Sequence, residues 1–320
     1  MPKLKIGVIG VGSLGQHHAR VLTELPQAEL AGVADVNQER GGEIAGRHGV
    51  PFYADYRGLL ERVDAVSIVV PTTLHFQVAK DALEQGRHVL VEKPITATVA
   101  QAQELTALAE QKKLKFQVGH IERFNPAFRA AAGYIQDPKF IECTRLAPYT
   151  GRNTDVPVVL SQMIHDIDII LSFFHSELER VSAIGSSLVS GNEDIANGRL
   201  EFKNGCVANL TASRISNKKE RKMRIFQKDS YVTVDFLNPG VKVYKLKGPS
   251  KGMTDLSKMV DCLEPKIDKI EPLKAELAAF ADCILNHTEP LITGQDGMRA
   301  LKVAEAILNE IEKRKVLFST

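Results

Sequence analysis

The chain has 320 residues, 44% hydrophobic and 25% charged, proportions of a soluble globular protein with two domains rather than one. A formal net charge of +2 gives no electrostatic case for nucleic acid or an anionic membrane, and no apolar stretch approaches the length of a membrane span. Cys143, Cys206, Cys262 and Cys283 show neither metal-ligand spacing nor a disulfide framework, so no metal site is expected and they read as buried, reduced thiols of a cytoplasmic protein. Met1-Pro2-Lys3-Leu4 runs straight into the first strand, which is read as leaving no room for a cleaved signal peptide.

Leu4 to Ile9 is a short apolar run of the kind found in a strand buried on both faces. It is followed by Gly10-Val11-Gly12-Ser13-Leu14-Gly15, a G-x-G-x-x-G turn, and from Ser13 onward by a helical pattern. In a dinucleotide-binding turn Gly10 permits the tight bend, Gly12 lets the backbone approach a pyrophosphate, and Gly15 lets the helix pack close, with its free N–H groups toward the anion. Leu30 to Ala34 reads as a second strand ending in Asp35, twenty residues after Gly15, where a carboxylate accepts ribose hydroxyls. No arginine adjoins Asp35, so NAD is expected over NADP, although Arg40 lies near enough to blur that preference.

A helix to about His48, a short edge strand at Val50 to Tyr53 and a helical turn or two from Arg57 to Val63 come next. Ala65 to Val70 reads as a strand ending in Pro71-Thr72-Thr73-Leu74-His75, then a helix from Phe76 to Gln85. His88 to Val91 is a strand ending in Glu92-Lys93-Pro94, Thr98 to Gln111 an amphipathic helix, and Lys115 to Val118 a strand before Gly119-His120. Strands and helices alternating at this pace predict a parallel, doubly wound α/β sheet, in which ligands gather at the carboxyl ends of the strands.

Beyond that point the pattern changes. A helix over Pro126 to Ile135, a strand over Lys139 to Arg145 and a long helix over Val156 to Phe174 precede six segments between Glu179 and Lys245 that alternate like antiparallel strands. Met253 to Ile270 reads as a surface loop, and helices over Glu271 to Asn286 and Asp296 to Lys313 close the chain. The expected division is a dinucleotide-binding domain over 1–122 and an α+β domain over 123–320 with an open, mostly antiparallel sheet. The uncovered face of such a sheet is expected to be buried by another subunit.

Three groups of residues carry chemistry. Glu92-Lys93-Pro94 ends a strand beside the expected nicotinamide position, where a lysine can donate to a substrate oxygen or simply form an exposed ion pair. Gly119-His120-Ile121-Glu122-Arg123-Phe124-Asn125-Pro126 places polar side chains at the domain crossover, as a cleft lining or a helix entry with incidental charges. Ser161, His165 and Asp168 share one face of a helix at spacings of four and three, His165 being either a packed residue or a base for an alcohol proton.

The N-terminal G-x-G-x-x-G, the E-K-P tripeptide and the H-D-I-D helix, in this order along essentially the whole chain, resemble the glucose–fructose oxidoreductase / inositol dehydrogenase family. The resemblance implies a Rossmann domain, a second domain whose open sheet makes homodimer or homotetramer contacts, and NAD(P)-linked chemistry on a sugar or cyclitol. By motif Lys93 becomes the substrate-orienting lysine and His165 the catalytic base. Gly10, Gly12, Ser13, Leu14, Gly15, Asp35, Arg40, Pro71, Thr72, Thr73, His75, Glu92 and Lys93 become the cofactor residues. His120, Glu122, Arg123, Asn125, Arg152, Ser161 and His165 become the substrate residues. One departure stands out: the family commonly has Asp four residues before the histidine, and this chain has Ser161.

Within the family the G-H-I-E-R-F-N-P run, the M-I-H-D-I-D-I-I helix and the closing helices look most like the branch that oxidises the 3-hydroxyl of UDP-N-acetylglucosamine, toward 3-amino sugars of lipid A or O-antigen. A diphosphate needs cations, for which Arg123, Arg152 and the group Arg214, Lys218, Lys219, Arg221 and Lys222 are candidates, the last group reading more readily as a solvated hairpin loop. Two alternatives stay open: a dehydrogenase or reductase of a free inositol or aldose, and an NAD-sensing regulator or binding protein without catalysis.

Overall fold

The computed structural model describes residues 3–151, 154, 156–247 and 259–318. Contacts divide it into two compact units, Met1–Ile121 with Glu271–Leu301, and Glu122–Ile270 with Lys302–Thr320.

In the first unit the elements are β1 (Leu4–Ile9), α1 (Gly15–Glu24), β2 (Ala28–Ala34), α2 (Gln38–His48), β3 (Phe52–Tyr53), α3 (Tyr56–Leu60), β4 (Ala65–Ile68), α4 (Thr72–Glu84), β5 (His88–Glu92), α5 (Val99–Gln111) and β6 (Phe116–Gly119). The strands form one parallel sheet in the order β3-β2-β1-β4-β5-β6. That order reverses beside β1, so the carboxyl ends of β1 and β4 border a crevice. Ile6, Val8, Val66, Ile68, Leu90 and Val91 are fully buried, as strands covered on both faces require. One expected boundary moves: α4 begins at Thr72, not Phe76, because Pro71 supplies the extended cap residue from which a first turn can start. Thr72, Thr73 and His75 thus lie in a helix rather than in a loop.

The chain order also misleads about the C-terminal segment, expected in the second domain. Helix α8 (Pro272–Leu285) sets Leu273, Leu277, Phe280, Ala281 and Ile284 on one face. That face completes the core formed by Val21, Leu22 and Leu25 of the α1 region with Ile6 and Ile44. Arg20 pairs with Glu271, and Lys274 reaches Glu24 at 3.1 Å. Nothing in the spacing of an apolar face says which core it enters.

In the second unit a 3₁₀ turn (Ile121–Phe124) leads to α6 (Pro126–Ala132), β7 (Phe140–Leu146) and α7 (Ile164–Ser172). Then come β8 (Leu178–Ser186), β9 (Ile195–Phe202), β10 (Val207–Ser213), β11 (Glu220–Phe226), β12 (Ser230–Asp235), β13 (Gly240–Leu246) and β14 (Val260–Leu263). They pair as β14-β13-β12-β11-β7-β10-β9-β8, antiparallel throughout except between β7 and β10. On β7, β11, β12 and β13 buried and more exposed residues alternate, with Ile141, Cys143, Met223, Ile225, Val232, Val234, Val241 and Val243 on the buried face. The last helix, α9 (Gly294–Phe318), contributes Ile311, which lies so close to Gly185 that a Cβ there would meet it at 3.0 Å, and Ile307, which packs over Gly198.

Two expectations are corrected here. The segment read as a loop includes the edge strand β14, whose residues are mostly exposed and so carry no apolar alternation. Cys262 lies on that strand and is exposed, whereas Cys143, Cys206 and Cys283 are buried. Among the described residues no helix is long and apolar enough to cross a membrane, and no group of three or more His, Cys, Asp and Glu side chains is arranged to hold a metal ion.

Candidate functional site

The first unit carries a cavity of about 390 Å³ at the carboxyl ends of β1, β2 and β4, lined in part by Gly10, Gly12, Asp35, Val36, Val70 and Pro71. Gly10 has φ +86°, and a Cβ there would meet the Val69 carbonyl oxygen at 2.5 Å. A Cβ on Gly15 would lie 1.8 Å from the Gly10 carbonyl oxygen, so only glycine lets α1 start so close to the strand. At Gly12 the space is open, a cradle that a side chain would fill. Ser13 and Leu14 beside it are exposed.

Asp35 is oriented by the turn itself: its Oδ2 accepts from Val11 N–H at 2.8 Å and its Oδ1 from Asn37 N–H at 2.9 Å. Arg40 crosses back over the same turn. Its Nε donates to the Val11 carbonyl at 3.2 Å, one terminal nitrogen to Gln16 at 2.7 Å and the other to Glu43 at 2.6 Å. Arg40 therefore braces the turn and is matched by a carboxylate of its own. Val36, 91% exposed, forms an apolar rim beside Asp35.

At the ends of β4 and β5 the geometry is more surprising. His75 is buried in α4, its Nδ1 2.8 Å from the Pro94 carbonyl and its Nε2 2.9 Å from the Val70 carbonyl. Burial lowers its pKa against the opposing pull of those carbonyls and of the Glu92 charge. Its ring thus faces backbone, not the cavity. Glu92 lies 3.3 Å from Nε2 of His18, a residue the sequence reading passed over, and the Nδ1 of His18 is 2.8 Å from the Ser67 hydroxyl. Burial pushes the Glu92 carboxyl up, but His18 and Lys93 outweigh it and hold the pKa below its ordinary value. Lys93 is half-buried in the turn that follows. His120, at the end of β6, is buried.

In the second unit charged residues near His165 pair with one another. Arg145 on β7 donates to both oxygens of Asp166 at 2.9 and 2.8 Å and to Glu122 at 2.9 Å. Burial opposes the charge on Arg145, yet the two carboxylates hold it firmly protonated. Arg123 forks onto Asp168 at 2.8 and 2.7 Å. Asn125 caps α6 and donates to Glu122 and to the Phe236 carbonyl. Glu122 and Asn125, read as substrate residues, are thus buried members of a network that anchors α7.

His165 is the one residue of 164–171 that is not buried. Ser161 belongs to a π-helical turn, Val159–Met163, closed by a bond from Ile164 N–H to the Val159 carbonyl. The wider turn alters the face that a regular helix would have shared among Ser161, His165 and Asp168. Among the phosphate candidates Arg214 is buried against Asp194 at 2.8 Å, Lys218 pairs with Glu220 at 2.9 Å and Arg221 lies 3.5 Å from Glu122. Arg152 lies outside the described residues.

A glycine-rich turn after the first strand, an acidic residue at the end of the second and a 3-2-1-4-5-6 parallel sheet define a dinucleotide-binding unit. Residues 4–120 match the family model described as an oxidoreductase family with an NAD-binding Rossmann fold, and residues 131–232 match the GFO/IDH/MocA C-terminal domain. The chain is 37% identical over 316 residues to a UDP-N-acetylglucosamine 3-dehydrogenase of Acidithiobacillus ferrooxidans, covering 98% of each chain. Its structure superimposes on that of the A. ferrooxidans enzyme with a TM-score of 0.91 at 36% identity, covering 98% and 99% of the two chains. A scyllo-inositol dehydrogenase from Lactobacillus casei with bound NAD(H) and scyllo-inositol gives a TM-score of 0.82 at 25% identity, each chain covered to 98%. The chain belongs to the glucose–fructose oxidoreductase / inositol dehydrogenase (Gfo/Idh/MocA) family of NAD-dependent oxidoreductases.

Proposed function

We propose that the protein oxidises the 3-hydroxyl of UDP-N-acetylglucosamine, or of a close UDP-sugar, to the 3-keto sugar, on a route to an amino-sugar glycolipid or polysaccharide such as lipopolysaccharide. The observation that carries this reading is the likeness to the A. ferrooxidans enzyme along 98% of both chains. NAD, when bound, supplies the hydride acceptor.

The residues of this chain do the rest. Asp35, held by two backbone N–H groups, keeps lone pairs for the ribose hydroxyls, and the open space over Gly12 admits a pyrophosphate to the N–H groups opening α1. His165 takes the proton from the sugar hydroxyl, and Lys93 donates to the reacting oxygen. Ser161 stands where the family commonly has Asp and brings no negative charge to the imidazole. Arg214 is committed to Asp194, which withdraws it from the cations available to a diphosphate. The protein works in the cytoplasm as a homodimer or homotetramer formed through the sheet of the second unit.

A single-turnover mix of protein, NAD and UDP-N-acetylglucosamine, followed by NADH fluorescence, tests the reading. A rise in fluorescence is expected, and UDP is expected to compete. Turnover of a free inositol that UDP leaves untouched would replace this reading with the free-cyclitol one, which the likeness to the L. casei enzyme favours.

A further inference from the structure

Lys93 sits one residue beyond β5, so its side chain is aimed only as well as its turn is held. On one side, Glu92 Oε2 accepts from the Lys93 backbone N–H at 3.2 Å, and Glu92 Oε1 lies 3.3 Å from His18 Nε2. His18 is 2% exposed, and its Nδ1 lies 2.8 Å from the hydroxyl of the fully buried Ser67. With the proton on Nε2, His18 donates to Glu92 while Ser67 donates to Nδ1, so every link from Ser67 to Lys93 has a matched donor and acceptor. Hydroxyl, imidazole and carboxylate in series also describe a hydrolytic triad. Ser67 has no exposed surface for a substrate carbonyl to approach, which leaves the chain a placing role.

On the other side, the Pro94 carbonyl meets His75, 1% exposed, which also faces the Val70 carbonyl beyond β4. A neutral ring donates to one of these carbonyls and an imidazolium to both. The turn is therefore gripped by a side chain from α1 and a side chain from α4, both inaccessible to water.

We infer that His18 and His75 are positioning residues for Lys93, His18 acting through the Glu92 side chain and His75 through the Pro94 carbonyl. The inference rests on the proposed role of Lys93 in turnover. It gives both histidines work that neither a cofactor contact nor core packing would require, because a misplacement of about 1 Å in a reacting group costs on the order of a hundredfold in rate.

Two measurements on the NAD-loaded full chain test it. In hydrogen–deuterium exchange, His18→Leu and His75→Leu are expected to speed exchange of the backbone around Lys93 about tenfold, with the second unit unchanged. His18→Gln, which keeps a donor toward Glu92, is expected to restore much of that protection. Unchanged exchange around Lys93 in both leucine variants overturns the inference. Loss of protection across the whole first unit in His18→Gln also overturns it, since the defect is then one of folding.

In turnover of UDP-N-acetylglucosamine, His18→Leu and Lys93→Ala are each expected to lower kcat by about tenfold or more, with NAD affinity within about twofold. The double variant is expected to be no slower than Lys93→Ala alone. Multiplying losses overturn the inference, because His18 then acts elsewhere than through Lys93. Full kcat in Lys93→Ala overturns instead the role assigned to Lys93, whatever the exchange result says of the turn.

Discussion

Asp35 holds the fold with the same carboxylate to which the proposed function gives the ribose hydroxyls. Its two bonds from Val11 and Asn37 N–H fix the glycine-rich turn, and its remaining lone pairs face the cavity rim. Asp35→Ala is expected to weaken NAD binding about tenfold or more, measured by fluorescence titration, and to cost about 1–3 kcal/mol in urea unfolding by leaving backbone donors unmatched. His165→Asn is expected to lower kcat for UDP-N-acetylglucosamine by about 10²–10⁴-fold. The thiols differ as sharply. Burial raises the pKa values of Cys206 and Cys283 to about 11 and of Cys143 well above the ordinary thiol range, whereas Cys262 is exposed. A thiol reagent is expected to label Cys262 rapidly in the native protein and the other three only on unfolding.

At the scale of elements, α7 is held through buried charge. Asp166 meets Arg145 from β7, and Asp168 meets Arg123 from the turn before α6, so alternate residues of one motif tie the helix at two points. Arg145→Met leaves Asp166 and Glu122 without their shared cation and is expected to cost about 3–5 kcal/mol in urea unfolding. The β8–β9 connection is held differently. Burial pushes the Asp194 carboxyl up, but N–H groups of Ser190 and Val189 and the Arg214 guanidinium outweigh it and set its pKa well below the ordinary carboxylate value. A carboxyl with a depressed folded pKa contributes stability that is present above its unfolded pKa, about 4, and is lost as pH falls through the folded value. Asp194→Asn is therefore expected to be less stable at neutral pH and to show a shallower loss of stability below about pH 4 than the parent protein, measured by urea unfolding across that range. Arg214 also donates to the Val156 carbonyl at 2.7 Å, and Asn192 to the Thr154 carbonyl at 3.0 Å, so the same network restrains the segment that enters the helix of His165.

For the whole molecule, the sheet of the second unit has one buried face and one that is not. On the latter, Phe140, Phe226, Tyr231 and Tyr244 stack with ring centroids 5.6, 4.6 and 5.5 Å apart, beside a cleft of about 450 Å³ that also involves Leu246 and Val260. Aromatic surface of this kind supports association through the sheet. Under the proposed assembly, light scattering behind size-exclusion chromatography is expected to give twice or four times the chain mass of 35.2 kDa. Tyr231→Lys is expected to shift it toward the single-chain mass.

The amino-acid sequence alone makes the first sheet legible, because strands buried on both faces read as apolar runs and the glycine turn with Asp35 is a pattern local to about thirty residues. Its alternation also announced most strands of the second sheet, since one face of each is buried. What joins across distance depends on how the elements pack. The apolar stripe of α8 is evident from Leu273 to Ile284, yet which core it completes depends on the shape of α1. Strand β14 has too little buried surface to imprint a period, and its pairing with β13 comes from backbone bonds that every sequence carries. Glu122 and Asp168 look like cleft residues until Arg145 and Arg123 come within 3 Å, from 23 and 45 residues away. Ser67, His18 and Glu92 belong to three different elements and become one hydrogen-bonded chain only when β4, α1 and β5 pack. Periodicity records how much of a side chain meets water. It does not record which partner meets its polar atoms, and in this protein those partners are set by the packing of the elements.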